Sequence, residues 1–192
     1  MKRVLFLSNG KKKTRIIEEL IKNGCHVTNT EKKIKGIGNY DLVISFGYRH
    51  ILKKSLIKQY KAPIINLHIS YLPWNRGSHP NFWSFYDNTE TGVTIHLIVD
   101  DKIDAGPILY RKRVIFSKKE STFISTYDRL IVEMENLFIK NIEKILNKNY
   151  TPRYYKNIGT YHKIADLPKE FLGWSSNIQE EIARLKNISK KL

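Results

Sequence analysis

Apolar runs and one segment of helical spacing alternate along the N-terminal part of the chain. The runs at residues 2–8, 41–46 and 64–69 predict buried strands, and a shorter run at 25–28 predicts another. Residues 15–21 carry apolar positions at helical spacing between the first two runs. Continuous apolar strands separated by helices are typical of a parallel sheet that is covered on both faces. The pattern therefore predicts an α/β fold with a mostly parallel sheet.

The second half of the chain continues with mixed elements. The elements predicted after residue 69 include a Pro-, Gly- and Trp-rich loop at 70–80, a short helix at 81–86, strands at 91–99 and 107–116, and an amphipathic helix at 176–190. Ser121 is the expected N-cap of a long helix with an apolar stripe that runs to about residue 147. Around Pro152 the sequence becomes aromatic and polar. We expect a main domain over 1–149 and a small C-terminal subdomain, a hairpin and a helix, over 150–192.

The chain is strongly basic. It has 192 residues, and 34 Lys and Arg against 18 Asp and Glu give a net charge of +16. The surplus is mostly lysine and is spread in short runs, with no helix-turn-helix, zinc finger or RNP-type strand motif beside it. We interpret it as solvated surface charge that would help to attract an anionic substrate. A non-enzymatic nucleic-acid-binding protein remains the alternative, although we do not expect nucleic acid to be the partner.

Cysteine, histidine and hydropathy exclude several classes of protein. Cys25 is the lone cysteine, which excludes a disulfide framework and a zinc site with several cysteines. The six histidines lack metal-site spacing, so we expect no metal. No apolar run approaches the roughly 20 residues that cross a bilayer, and the first run is too short for a signal peptide. We expect a cytoplasmic protein without a membrane span.

Two segments carry residues suited to acyl transfer. Asn66 and His68 lie two apart near the end of a predicted strand, so both side chains project from one face. The imidazole can accept a proton, and the amide can donate to an oxyanion. Residues 100–108 form a turn with three aspartates, and an aspartate beside His68 would favour the imidazolium. Each segment taken alone also fits a structural role, as a hydrogen-bonded core histidine or a solvated turn.

Several short motifs occur in order between residues 41 and 116. They are Asn66-x-His68-x-Ser70, Leu72-Pro73-x-x-Arg76-Gly77, Pro80 and Trp83, Thr91-Gly92-Val93-Thr94 with His96, and Asp104-x-Gly106-Pro107-Ile108. Together they resemble the signature of formyltransferases that use 10-formyltetrahydrofolate. This resemblance implies a Rossmann-like fold in which 1–149 is the catalytic domain, with an N-terminal half shorter than the family's usual one. The resemblance favours a catalytic role over a structural role for both segments.

The resemblance also implies roles for particular residues. It places Asn66, His68 and Asp104 in a catalytic trio that needs neither a metal nor a covalent enzyme intermediate. It makes 10-formyltetrahydrofolate the formyl donor. The expected folate-binding residues are Phe46, Gly47, Tyr48, Arg49, His50, Ile51, Leu52, Val99, Asp100, Asp101 and Ile103.

Other segments of the sequence bear on the identity of the acceptor amine. The stretch that begins at Ser8 lacks the glycine-rich phosphate-binding turn of phosphoribosylglycinamide formyltransferases, although that activity remains an alternative. The forms LPWNRGSHPNFWSFYDN and GTYHKIADLP resemble sugar N-formyltransferases of O-antigen and related glycan pathways. The implied substrate is dTDP-4-amino-4,6-dideoxyglucose, ahead of a 3-amino sugar.

The resemblance assigns two further features. Arg76, His79 and Trp83 are the candidates for binding the nucleotide sugar, although Trp83 also fits a packing role. The aromatic residues 150–161 fit a homodimer contact and packing on their own domain equally well.

Overall fold

The computed structural model describes residues 1–10, 14–155 and 159–190. Eight strands are found there: β1 (Arg3–Ser8), β2 (His26–Thr30), β3 (Leu42–Phe46), β4 (Ile64–His68), β5 (Arg76–Gly77), β6 (Gly92–Leu97), β7 (Ile108–Arg113) and β8 (Tyr161–His162). The helices are α1 (Arg15–Lys22), α2 (Lys54–Gln59), α3 (Pro80–Tyr86), α4 (Phe123–Lys140), α5 (Ile142–Leu146) and α6 (Ile178–Ser189), with a 3₁₀ turn at Ile164–Asp166. None of these helices combines the length and apolar character needed to cross a membrane.

Six strands form one sheet in the order β2-β1-β3-β4-β6-β7. The first four run parallel, while β6 is antiparallel to both β4 and β7. The predicted Rossmann-like, mostly parallel sheet is therefore confirmed. It also brings the carboxyl ends of β1, β3 and β4 to one edge, where ligands of open parallel sheets bind.

Alternate residues of the strands enter two different cores. Val4 and Phe6 pack with α1 and α4, while the intervening Leu5 packs with Val43 and with Ile57 of α2. This is the period-2 pattern of a strand that is buried on both faces. The predicted helical cover on both faces follows from it.

The C-terminal residues pack against α3 rather than standing apart. A third core unites Phe82 of α3, Phe123 of α4, and Ile178 and Leu185 of α6. The described residues of this region include strand β8, which pairs in parallel with β5. The turn of the predicted hairpin would fall on residues 156–158, outside the described residues. The predicted C-terminal helix is present as α6.

The predicted long helix differs in two ways. Its N-cap is Thr122 and not Ser121, because the Thr122 hydroxyl accepts the backbone N–H of Ser125 at 3.2 Å. The helix also breaks at Asn141, whose backbone leaves helical geometry (φ −113°, ψ 8°) and whose side-chain amide donates to Leu137 O at 2.8 Å. The segment thus forms α4 and α5, with the apolar stripe of the two still in the core.

Candidate active site

The end of β4 presents a cluster of polar side chains at the sheet edge. Asn66 and His68 project from the same face of the strand, as the spacing predicts, and Asn66 lies opposite His96 of the antiparallel β6. Asp104 comes from the turn between β6 and β7. Its backbone is in the left-handed region (φ 49°), which carries the carboxylate back toward the two strands.

A glycine in the same turn explains how Asp104 comes so close to the sheet. A Cβ at Gly106 would lie 1.8 Å from Leu97 O, so any side chain there would push the turn away from β6. The glycine of the Asp104-x-Gly106 motif therefore permits close approach of the backbone.

The Asp104 carboxylate is the centre of the cluster. Its Oδ1 accepts from Asn66 Nδ2 at 2.8 Å and lies 3.2 Å from His96 Nε2. Its Oδ2 accepts the backbone N–H of Gly77 at 2.9 Å and lies 3.5 Å from His68 Nδ1. The structure therefore brings the three predicted residues together and adds His96, for which the sequence predicts no separate role.

The surroundings of Asp104 favour its ionised form. Burial alone would raise the pKa of this carboxyl. The nearby His68 and the hydrogen bonds from His96 and Gly77 outweigh burial and hold the pKa well below its usual range. The Asp104 side chain thus remains a buried anion at neutral pH, which suits it to stabilise positive charge beside it.

The ring of His68 is held by two neighbours. Its Nε2 lies 3.0 Å from Asn75 O, and because a carbonyl oxygen can only accept, Nε2 is the donor there. Its Nδ1 faces Asp104. His68 is buried, and its two contacts fix the ring plane at the cavity wall. The imidazole is therefore positioned before any ligand binds.

A cavity of about 960 Å³ opens over the cluster. Asn66, His68 and Asp104 line it, together with residues from the C-terminal region such as Tyr161 and Lys163. Ten of the eleven predicted folate-binding residues also line it: Phe46, Gly47, Tyr48, Arg49, His50, Ile51, Leu52, Asp100, Asp101 and Ile103. The eleventh, Val99, is an exposed neighbour of these residues and is not part of the lining.

The predicted substrate-binding residues occupy three different settings. His79 lines the cavity. Arg76 is half-buried beside the Tyr161 ring and stands next to the lining residue Gly77. Trp83 lies in the third core, where its ring stacks on that of His162 with centroids 3.9 Å apart, so its position is that of a packing residue.

Acidic and imidazole groups do not combine into a metal centre here. Within the described ranges, no group of three His, Cys, Asp or Glu side chains could hold a metal ion.

Comparison with known proteins identifies one family that this chain resembles. Residues 30–142 match the family described as formyl transferase. The formyltransferase PseJ from Anoxybacillus kamchatkensis, solved with UDP-4,6-dideoxy-4-formamido-L-AltNAc and tetrahydrofolate, is 34% identical to this chain. The match covers 95% of this chain and 98% of that one, with a TM-score of 0.85.

Two curated relatives are similar over shorter stretches. The dTDP-4-amino-4,6-dideoxyglucose formyltransferase of Mycobacterium tuberculosis is 32% identical over 64% of this chain and 51% of its own length. A methionyl-tRNA formyltransferase of Thermodesulfovibrio yellowstonii is 33% identical over 79% of this chain and 49% of its own length. The chain spans about half the length of the curated relatives it matches.

Proposed function

The chain belongs to the formyl transferase family, and on that premise we propose that it transfers a formyl group from 10-formyltetrahydrofolate to the amine of a nucleotide-linked sugar. The observation that carries the proposal is the cluster of Asn66, His68 and Asp104 on the wall of a cavity that the predicted folate-binding segment also lines. Residues 1–149 would then be the catalytic domain. Residues 150–192 would be a subdomain that completes one wall of the cavity.

The cavity fits a folate donor. Its volume of about 960 Å³ is at the upper end of the range for small-molecule sites. Gly47 directly follows β3 with φ +68°, and Asn9 Nδ2 would lie only 3.2 Å from a Cβ at this position. The missing side chain leaves backbone groups accessible at the cavity wall, as binding of a flat heterocycle requires. When bound there, the donor supplies the activated formyl group.

The residues of the cluster would act on charge and protons during transfer. Asn66 Nδ2 carries a second N–H besides the one that it donates to Asp104, and this N–H would stabilise negative charge on the formyl oxygen, which is worth roughly 3 kcal/mol per well-placed donor. His68 would add a second donor only by turning one of its ring nitrogens away from Asn75 O or Asp104. Asp104 would accept the proton that the attacking amine loses, directly or through water. Because its pKa is held low, Asp104 would not keep this proton but would pass it on, directly or through water. Its destination would be the tetrahydrofolate nitrogen, whose bond to the formyl carbon breaks as the bond from the amine nitrogen to that carbon forms.

The relatives favour a 4-amino-4,6-dideoxy sugar as the acceptor. PseJ was solved with a UDP-linked 4,6-dideoxy-4-formamido sugar, and the mycobacterial relative is a formyltransferase of dTDP-4-amino-4,6-dideoxyglucose. We therefore place the 4-amino sugar ahead of the 3-amino type, and we expect UDP or dTDP as the carrier. The product of the proposed reaction would be a formamido sugar, which would be used to assemble a glycan such as an O-antigen.

Mass spectrometry of a panel of acceptors tests the proposal. The protein is incubated with 10-formyltetrahydrofolate and, separately, with UDP- and dTDP-linked 4-amino sugars, a dTDP-linked 3-amino sugar, glycinamide ribonucleotide and methionyl-tRNA. We expect a formyl gain on a 4-amino sugar, lost in His68→Ala although this variant folds normally. Formyl gain on glycinamide ribonucleotide or methionyl-tRNA alone would overturn the assignment of a sugar acceptor.

Self-association stays a prediction for the aromatic C-terminal region. Tyr154 is 75% exposed, which supports a contact with a second copy of the chain. Light scattering of the wild-type chain and of Tyr154→Ala would test it. A wild-type chain that is monomeric at every concentration would contradict the homodimer.

A further inference from the structure

Thr160 lies in the segment GTYHKIADLP and has no part in the chemistry described so far. Its hydroxyl nevertheless reaches Asn75, 85 residues away in the chain, in the loop that follows β4. We propose that Thr160 is a positioning residue of the active site, which acts through Asn75 on the ring of His68. The inference rests on the proposed function and adds how the C-terminal region orients this imidazole.

Asn75 is fully buried, and each of its polar groups is hydrogen-bonded. Its backbone N–H donates to Thr160 Oγ1 at 2.7 Å, and the same Thr160 hydroxyl donates to Asn75 Oδ1 at 3.0 Å. Asn75 Nδ2 donates to Thr89 Oγ1 at 2.7 Å, and Asn75 O accepts from His68 Nε2 at 3.0 Å. One hydroxyl group of the C-terminal region thus holds both the backbone and the side chain of the residue that binds His68.

The backbone around Asn75 depends on this contact. Asn75 has φ 56°, in the left-handed region, which asparagine tolerates but does not prefer. Gly159 allows the C-terminal region to approach, because a Cβ at this position would lie 1.8 Å from Pro73 O. The bonds from Thr160 therefore stabilise the conformation that directs the Asn75 carbonyl toward His68.

The Asn75 carbonyl determines which nitrogen of a neutral His68 ring carries the proton. A carbonyl oxygen can only accept, so the proton stays on Nε2 and the lone pair stays on Nδ1. Nδ1 lies 3.5 Å from Asp104 Oδ2, a contact that can shorten when substrate binds. Nδ1 can then share the proton that Asp104 receives from the amine, before this proton passes to the tetrahydrofolate nitrogen. If Asn75 turned away, the carboxylate would attract the ring proton to Nδ1, and Nδ1 could no longer accept.

Nitrogen-15 NMR of the histidine rings tests the proposal in the full chain without substrate, at alkaline pH. We expect His68, assigned by the signal missing from His68→Ala, to carry its proton on Nε2. The Thr160→Val ring should shift toward the Nδ1–H form, whereas Thr160→Ser keeps the hydroxyl and should keep the wild-type form. Thr126→Val is the matched control. It removes another fully buried hydroxyl, bonded to Asn81 Nδ2 at 3.0 Å and to Phe123 O at 3.1 Å, and should leave the His68 ring unchanged.

Turnover separates positioning from stability. We expect Thr160→Val to lower kcat for formyl transfer roughly 10- to 100-fold, the effect of a misplaced catalytic group, with little change in KM for the nucleotide sugar. Thr160→Ser should restore most of kcat. Thr126→Val should lose stability as Thr160→Val does but keep the wild-type kcat. Thr89→Val removes the other hydroxyl bonded to Asn75 and should act in the same direction, which keeps the test possible if Thr160→Val does not fold.

The outcomes distinguish this role of Thr160 from the proposed function. A wild-type His68 ring that carries its proton on Nδ1 would overturn the role. A lower kcat with an unchanged ring form, or an equal loss of kcat in Thr126→Val, would also overturn it and would show a structural effect alone. A ring form that depends on Thr160, in a protein that formylates no amino sugar, would support the link to His68 and refute the function.

Discussion

Replacing Asp104 by asparagine removes one buried charge and changes little else. The substitution keeps the shape of the side chain, and asparagine tolerates the left-handed backbone (φ 49°) well. Asp104 accepts from Asn66 Nδ2 at 2.8 Å and from Gly77 N at 2.9 Å, with His96 Nε2 at 3.2 Å and His68 Nδ1 at 3.5 Å. An amide has one acceptor oxygen, so its NH2 must face at least one of these donors.

The cost follows from the hydrogen bonds that this exchange disrupts. A buried donor left without an acceptor costs about 1–3 kcal/mol, and the remaining bond also loses the benefit of a charged acceptor. We expect the free energy of unfolding to fall by about 2–4 kcal/mol. For a chain of this size that corresponds to a loss of roughly 4–16 °C in Tm. Loss of the proton acceptor should lower the formyl-transfer rate roughly 10²- to 10⁴-fold.

The pH dependence has a definite sign. The pKa of Asp104 is depressed in the folded state because His68, His96 and the Gly77 N–H outweigh burial, whereas an unfolded aspartate titrates near 3.9. A depressed pKa contributes stability that is present above about pH 4 and is lost as the pH falls toward the folded value. The asparagine variant lacks this contribution. The stability gap between the two proteins should be constant from about pH 5 to 7 and should narrow below pH 4.

Guanidinium unfolding at pH 7, 5 and 3.5, followed by circular dichroism, measures that gap. Formyl transfer is measured by mass spectrometry on the same preparations. A variant as stable as the wild type at pH 7 would refute the hydrogen-bond reasoning. A gap of unchanged size at pH 3.5 would refute the linkage to the carboxyl group. Wild-type turnover would remove Asp104 from the proposed chemistry.

Three smaller perturbations test other parts of the fold. Gly77→Ala places a Cβ 2.2 Å from His162 O at φ +89°. We expect it to lower the free energy of unfolding by more than about 2 kcal/mol and to abolish most of the formyl transfer. A native Tm with normal turnover would contradict this. Glu135→Ala removes the buried partner of Arg15 Nε at 2.9 Å and should lower unfolding free energy by about 2 kcal/mol in urea titrations. Cys25 is buried and burial raises the pKa of its thiol, so a disulfide reagent should modify it far more slowly in native buffer than in denaturant.

The centre of the sheet could be predicted because β1, β3 and β4 are mostly apolar, buried runs with polar boundaries. The elements that escaped prediction carry weak local signals. α2 spans six residues and buries Ile57 alone, so its sequence has little helical pattern. β5 and β8 are two residues long and pair across more than eighty residues of chain, a contact that no local pattern encodes. The helix break at Asn141 is accompanied by one side-chain hydrogen bond to Leu137 O, which the apolar pattern does not predict.

In the site, too, local strand geometry could be predicted from the sequence, whereas long-range contacts could not. The common face of Asn66 and His68 follows from strand geometry alone, whereas the approach of Asp104 depends on the register of β6 and on Gly106. The sequence does carry a signal for His96, because a histidine inside a mostly apolar strand is a buried polar group that needs hydrogen-bond partners. The burial of Trp83 against His162 depends on the C-terminal region and had no sequence signal beyond its aromatic character.

The C-terminal region is connected to Asp104 through a short series of hydrogen bonds that involve the backbone of β5 and β8. Thr160 O accepts from Arg76 N at 3.0 Å, and His162 O accepts from Ser78 N at 2.9 Å, which fixes Gly77 of β5 between them. The Gly77 N–H in turn binds Asp104 Oδ2 at 2.9 Å. Since β8 pairs with β5 and β5 carries the Gly77 N–H, β8 contributes to the position of Asp104 together with the turn that carries this residue. Residues beyond 149 therefore help to hold the proposed catalytic cluster in place, and we expect a chain truncated at residue 149 to lose the backbone bonds that fix Gly77.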